Sequence, residues 1–198
     1  MQPFLARATS LLPRAGGLLL LIWVCSGCRL GGTYRPIAHY GLDCPAGVAE
    51  TAAAIEGTLQ IGRFGSKVPA GTRMLERGAG QRLFIDEYNR WADDPERLVE
   101  REFLRCLAER RVFANVVDSD ADTADLTLGG TLLALERTED GQALVSVLVR
   151  FENPETGEIS ASRVFSNSRK LTGATSAAFA EACAGALDTI VTDVAEAL

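Results

Sequence analysis

Apolar and polar residues alternate every second position in several stretches of this chain and recur at helical spacing in two others. Residues 143–151 are the clearest strand. Ala143, Val145, Val147, Val149 and Phe151 share one face, because successive strand side chains point to opposite sides. Residues 126–137 precede it and 159–165 follow it. Glu139-Asp140-Gly141 and Asn153-Pro154-Glu155-Thr156-Gly157 supply turn residues between the three strands. Upstream, 72–77 and 81–88 flank Gly78-Ala79-Gly80, a short glycine-bearing loop that predicts a hairpin. Residues 37–42, 58–64 and 112–117 read as further short strands. Residues 44–54 are a small-residue stretch, a loop or a marginal helix.

Two segments carry the helical period. Asp93 or Asp94 can cap a helix with Pro95 at its first position, running to about Arg110. Val99, Phe103, Cys106 and Leu107 form its apolar stripe, with Glu100, Arg101, Glu109 and Arg110 outside. A second helix spans 176–198, with Phe179, Cys183, Leu187, Ile190, Val194 and Leu198 on its buried side. The predicted architecture is α+β: a two-layer sandwich with a mostly antiparallel sheet and two amphipathic helices packed on it.

The N-terminal pattern is of a different kind. Arg7 and Arg14 precede an uninterrupted apolar run, 18–24, and Ser26-Gly27 stand directly before Cys28. This is the layout of a bacterial lipoprotein signal peptide, with the small residues fitting the peptidase. The run is far short of the roughly 20 residues that a spanning helix needs. Residues 1–27 are therefore expected to be a signal peptide and Cys28 the lipidated first residue of the mature chain. Residues 28–36, with Gly31, Gly32 and Pro36, are expected to form a flexible tether, and 37–198 one domain. Acyl chains on Cys28, at roughly 0.8 kcal/mol per buried methylene, would hold that domain on a membrane. Arg29, in place of Asp, points to the outer membrane by the Gram-negative sorting rule.

Charge narrows the partners. The chain carries a formal −6, and loss of Arg7 and Arg14 with the leader would take it to −8. An acidic domain is a poor nucleic-acid binder and a poor electrostatic binder of anionic lipid. Cys25 leaves with the leader, so Cys44, Cys106 and Cys183 remain beside Cys28. Cys106 and Cys183 fall on apolar helix faces and read as small core residues. One disulfide with a thiol left over is the alternative in an oxidising compartment.

Candidate chemistry is sparse. His39 is the only histidine, near the tether, and reads as structural or solvated. Asp118, Asp120 and Asp122 have the alternate spacing of a calcium loop, but Thr123 and Gly129 occupy its glycine and terminal glutamate positions. A solvated acidic turn is the better reading. No cofactor, no metal and no enzymatic activity is expected.

The segment 86–107, DEYNRWADDPERLVEREFLRCL, resembles one in the ABC-type transport auxiliary lipoproteins, the paraquat-inducible protein C-like family. There a strand is followed by Arg-Trp-Ala and an acid, here Arg90, Trp91, Ala92 and Asp93, and then by a helix. Tyr40-Gly41-Leu42 resembles the family's early tyrosine-bearing strand, and the ending with strands, turns and a last helix fits. Cys44 and the small residues after it depart from the pattern. The resemblance implies a non-catalytic outer-membrane lipoprotein of an MCE-type lipid transport system. Its partners would be an MCE-domain protein, an ABC permease and an ATPase. It would dock or stabilise the periplasm-spanning MCE component. An envelope lipoprotein assisting assembly of another outer-membrane complex is the alternative. Trp91 is either a core aromatic at the strand-to-helix corner or, with Arg90, a partner-docking residue. A sheet with helices leaves an edge or face to cover, so self-association is also expected.

Overall fold

The computed structural model describes residues 34–45, 54–121 and 123–198. The expected leader, Cys28 and all but the end of the tether lie outside the described residues. Pro36–Leu198 forms one compact unit. Its elements are β1 (Ala38–Tyr40), β2 (Ile55–Ser66), β3 (Arg73–Arg77), β4 (Leu83–Trp91), α1 (Pro95–Glu109), β5 (Phe113–Val117), β6 (Leu126–Arg137), β7 (Gln142–Glu152), β8 (Ile159–Lys170) and α2 (Ser176–Glu196). The α+β expectation holds, with all eight strands in one sheet.

The long ladders are the antiparallel ones, β6 with β7 and β7 with β8, each joined by a turn anticipated above. Gly141 and Gly157 take φ of +74° and +69° in those turns, which a Cβ would oppose. The Asn153 side chain accepts from the Glu155 and Thr156 amides at 2.9 and 3.1 Å and shapes the second turn. β3 and β4 form the expected hairpin, closed by a 3-10 turn over Ala79–Gln81.

The parallel pairings were not legible. β6 carries β7 along one edge, while its other edge takes β2 first and β3 at its last two residues. The sheet therefore forks at β6, with β5 beyond β2 and β4 then β1 beyond β3. β1–β4, β2–β5, β2–β6 and β3–β6 are all parallel. Such neighbours are distant in sequence, so no turn motif announces them. A half-buried ion pair marks the fork. Arg77 on β3 grips Glu136 on β6 through two hydrogen bonds, 2.5 and 2.8 Å, and Glu136 is buried.

Several boundaries differ from expectation: β2 runs over Ile55–Ser66 rather than 58–64, β1 is shorter, and two strand ends extend for a clear reason. β4 continues through Asn89-Arg90-Trp91, because those residues pair with β1. β8 continues to Lys170, because its polar end follows β7 to Gln142. Backbone pairing sets both ends, whatever the side chains prefer.

The core lies between one sheet face and the two helices. The stripe Ala143, Val145, Val147, Val149 and Phe151 is buried, as are Phe103, Leu107, Phe179, Leu187 and Ile190. Gly130 on β6 makes room for Phe64: a Cβ there would lie 2.2 Å from the ring. Phe64 thereby reaches Phe103 on α1, with ring centroids 5.1 Å apart. Two helix positions differ from expectation: Arg110 is buried rather than outside, beside Asp188 of α2 at 2.5 Å, and Leu198 lies beyond the end of α2 and is only partly buried. Among the described residues no helix is long and apolar enough to cross a membrane.

Candidate functional site

The Arg90-Trp91 segment sits where β4 hands the chain to α1. The Trp91 amide donates to the Thr72 carbonyl at 2.6 Å, and the Ala92 amide to Tyr40 at 2.8 Å. These bonds tie the corner to β1 and to the residue before β3. Trp91 is 1% exposed and packs on Phe179 of α2, ring centroids 5.8 Å apart. Arg137 lies over the other ring of that pair, 5.4 Å from the Phe179 centroid. Trp91 thus joins β4 to α2 from inside and offers no surface to a partner.

Arg90 points to the opposite side, by strand alternation. Its register partners are Arg73 on β3 and His39 on β1. Three basic side chains therefore share one row across three strands. Glu87 reaches Arg73 at 3.5 Å, and the Arg90 Nε is buried with no hydrogen-bond partner. Like charges directly opposite on a sheet are destabilising. In an acidic chain this row is locally basic.

A second constellation lies at the N-terminal end of the domain. The backbone of Cys44 is held on α1 from both sides. Its amide donates to Glu102 Oε2 at 2.8 Å, and its carbonyl accepts from Arg105 Nη2 at 2.7 Å. Arg105 also bonds Glu102 at 2.7 Å and Glu109 at 2.9 Å. Glu102 is buried, yet each acceptor bond it makes is charge-assisted or to a backbone amide, which makes burial affordable. The bracketed peptide sets the Cys44 thiol beside Cys106: Cys44 Sγ, Cys106 Sγ and a Glu102 oxygen all lie within 4.8 Å of one another. The thiols titrate apart. Hydrogen bonding to Cys106, then burial, pushes Cys44 up. The bond from Cys44 and the nearby Arg105 guanidinium pull Cys106 down. Cys183 is pushed up by burial in the α2 core, with the Arg137 charge opposing, so of the cysteines expected to be core residues it is the one without a thiol neighbour at hand among the described residues.

Glu102 and Arg105 are the residues that sequence reasoning missed. The signal was present: Glu102 lies three residues after Val99 and four before Cys106, on the apolar stripe. A charge placed there must have a partner, and Arg105 one turn on is the nearest.

The other candidates are dispersed. His39 is exposed on β1. Asp118 turns its carboxylate back onto the Asp120 amide at 3.1 Å, while Asp122 lies outside the described residues. A shallow cleft of about 370 Å³ runs between the end of β8 and α2, lined by Asp43, Arg169, Lys170 and Glu181 among others. Its charges are balanced.

Residues 42–195 match the model of the ABC-type transport auxiliary lipoprotein component. The chain belongs to that family. Membership makes it a transport-associated bacterial lipoprotein; the matched span starts at Leu42 and includes Arg73, Arg90, Trp91 and the Cys44–Cys106 cluster, while His39 precedes it. No curated protein matches. Among solved structures, protein XCC0632 from Xanthomonas campestris is similar at 18% identity and a TM-score of 0.68, over 79% of this chain and 92% of that one. An uncharacterized protein is similar at 16% identity and a TM-score of 0.67, over 82% and 98%. These likenesses extend to the fold.

Proposed function

We propose that this protein is the non-catalytic, lipid-anchored subunit of an MCE-type ABC lipid transport system. It docks or stabilises the periplasm-spanning MCE component from the outer membrane. The observation that carries the reading is the family match over nearly the whole folded domain. In this reading Cys28 holds the acyl chains, and the apolar run before it is the leader that directs their attachment. Arg29 directs the protein outward. The contact with the MCE component falls to the basic row of Arg73, Arg90 and His39, with Trp91 bracing the corner from behind. Its electrostatics suit an acidic patch on the partner.

The test is gentle detergent extraction of a tagged protein from its native membrane, followed by mass spectrometry. Co-purification of an ATPase, a permease and an MCE protein is the expected result, with an acylated N-terminal peptide at Cys28. A β-barrel or assembly factor in their place would favour a role in building another outer-membrane complex. Arg90→Glu is expected to keep the melting temperature and lose the MCE protein from the eluate. Trp91→Ala is expected to lower stability by about 3–5 kcal/mol, as for other buried aromatics.

A further inference from the structure

We propose that Cys44 and Cys106 are a redox pair that closes to a disulfide, stapling the segment after β1 onto α1. The two sulfurs are already within 4.8 Å, each on a nearly buried residue. Their separation is set from outside the pair, by the Glu102 and Arg105 bonds to the Cys44 peptide. A thiol can swing onto its neighbour by rotation about its own Cα–Cβ bond, without disturbing those bonds.

A metal site is the competing use of two thiols and a carboxylate. The surroundings oppose it. Arg105 donates to Glu102 Oε2 at 2.7 Å and stands 3.5 Å from Cys106 Sγ, so a guanidinium already occupies the place of a cation. Glu102 Oε2 also accepts from the Cys44 amide. Disulfide formation needs no extra ligand and is helped by the same positive charge, which favours the attacking thiolate.

The oxidant is a small or protein disulfide, as an oxidising envelope supplies. Cys106 thiolate attacks one sulfur of that disulfide. The oxidant's S–S bond breaks and one thiolate leaves, giving a mixed disulfide. Cys44 gives its proton to solvent and attacks the Cys106 sulfur, expelling the second thiolate. The two cysteines lose two electrons, and one oxidant disulfide becomes two thiols. Both cysteines are covered in the folded state, so the mixed disulfide at Cys106 forms while the Cys44 segment is off α1, and Cys44 attacks once the Glu102 and Arg105 bonds have docked its peptide.

The consequence deepens the anchoring role above and rests on it. Force from an acyl anchor at Cys28 enters the domain through β1, which pairs with β4 at only three positions. A Cys44–Cys106 bond would carry that load covalently into α1.

The test uses the full-length protein in detergent. It is extracted from its native membrane with iodoacetamide present from lysis onward, then denatured, alkylated again and digested. A Cys44–Cys106 linked peptide that disappears on reduction, with Cys183 alkylated, is the expected result. Linkage through Cys183 overturns the proposal. In a second arm the reduced protein is unfolded and refolded with reduced and oxidised glutathione. Loss of two hydrogens' mass and a melting temperature raised by about 5–15 °C are expected. Cys44→Ser should abolish both and Cys183→Ser neither. A lasting glutathione adduct without linkage overturns the proposal. So does uptake of a zinc ion by the reduced protein that shields both thiols from glutathione. Closure in glutathione with free thiols in the membrane extract supports the pair and counts against the oxidising location, so the two readings fail separately.

Discussion

α1 and α2 lie on the same face of the sheet and are built from different materials. α1 is rich in charge, and its buried side includes Glu102 as well as Phe103 and Leu107. It holds its neighbours by directed bonds. Glu100 accepts from the Phe64 amide at 2.8 Å, Glu102 and Arg105 clasp Cys44, and Arg110 meets Asp188. α2 buries Ala178, Ala182, Ala184, Gly185 and Ala186 between larger apolar residues. Small side chains let it approach β7 and β8 closely, and Arg169 of β8 lies where a Cβ on Gly185 would be. α2 is therefore held by contact area. Its hold is spread over many atoms, whereas that of α1 is concentrated in a few groups. The difference assigns the helices separate work: α2 closes the core, and α1 fastens the N-terminal segments to it.

The comparison can be broken most severely at Phe179. Phe179→Ala empties the space between Trp91 and the Arg137 guanidinium, and should cost about 3–5 kcal/mol in urea unfolding. A cost near that of an exposed residue would mean that α2 is not held by packing. Glu102→Leu tests α1. It keeps the volume and strips a buried acceptor from the Cys44 amide and from Arg105. A loss of about 3 kcal/mol is expected, with early proteolytic release of the segment around Cys44. Loss of stability without that release would show that Glu102 does not fasten the segment.

The helix starts sharpen the contrast at a smaller scale. Thr175 caps α2, its hydroxyl oxygen accepting from the Ala178 amide at 3.1 Å. Thr175→Ala should cost about 1 kcal/mol. Asp94 stands at the same position of α1 and makes no side-chain cap bond, leaving Pro95 and Glu96 to favour the start. Asp94→Ala should cost only about 0.3 kcal/mol, the residual attraction to the helix dipole. Equal losses at the two caps would erase the distinction.

The smallest effect lies outside both helices, in the β6–β7 turn. Hydrogen bonds from Thr138 and then Gln142 hold the Asp140 carboxyl below its ordinary value of 3.8. A depressed folded pKa means that the stabilisation is fully present above the unfolded pKa and is lost as pH falls through the folded one. An Asp140 titration followed by NMR should therefore have its midpoint below 3.8. Thr138→Ala should raise that midpoint. Because Asp140 is fully exposed, the melting temperature should scarcely respond.

Much of this was legible in the sequence, for reasons tied to particular residues. The alternation from Ala143 to Phe151 showed a half-buried strand, and Gly141 and Gly157 showed where it turned. Pro95 showed the start of α1. The strand end at Trp91 and the polar end of β8 were not legible, since their pairing partners β1 and β7 set them. Of the candidate docking pair, the Arg-Trp-Ala motif pointed to a place without telling inside from outside. The structure puts Trp91 against Phe179 and Arg90 in a row with Arg73 and His39. Cys106 read as a core residue because its helical phase is apolar. Its neighbour Cys44 came from a stretch with no period to place it.

The sequence by itself determined the periodic elements, the turns between adjacent strands, the acidic balance and the expectation of a lipidated Cys28. These are local properties, written in spacing, charge and side-chain size. Only the tertiary structure decided the fork at β6, the burial of Arg110 and Glu136, and the meeting of Cys44 with Glu102, Arg105 and Cys106. Each of these joins residues far apart along the chain. Such contacts depend on how the whole sheet twists and pairs, and a parallel pairing leaves no local mark at either of its two strands.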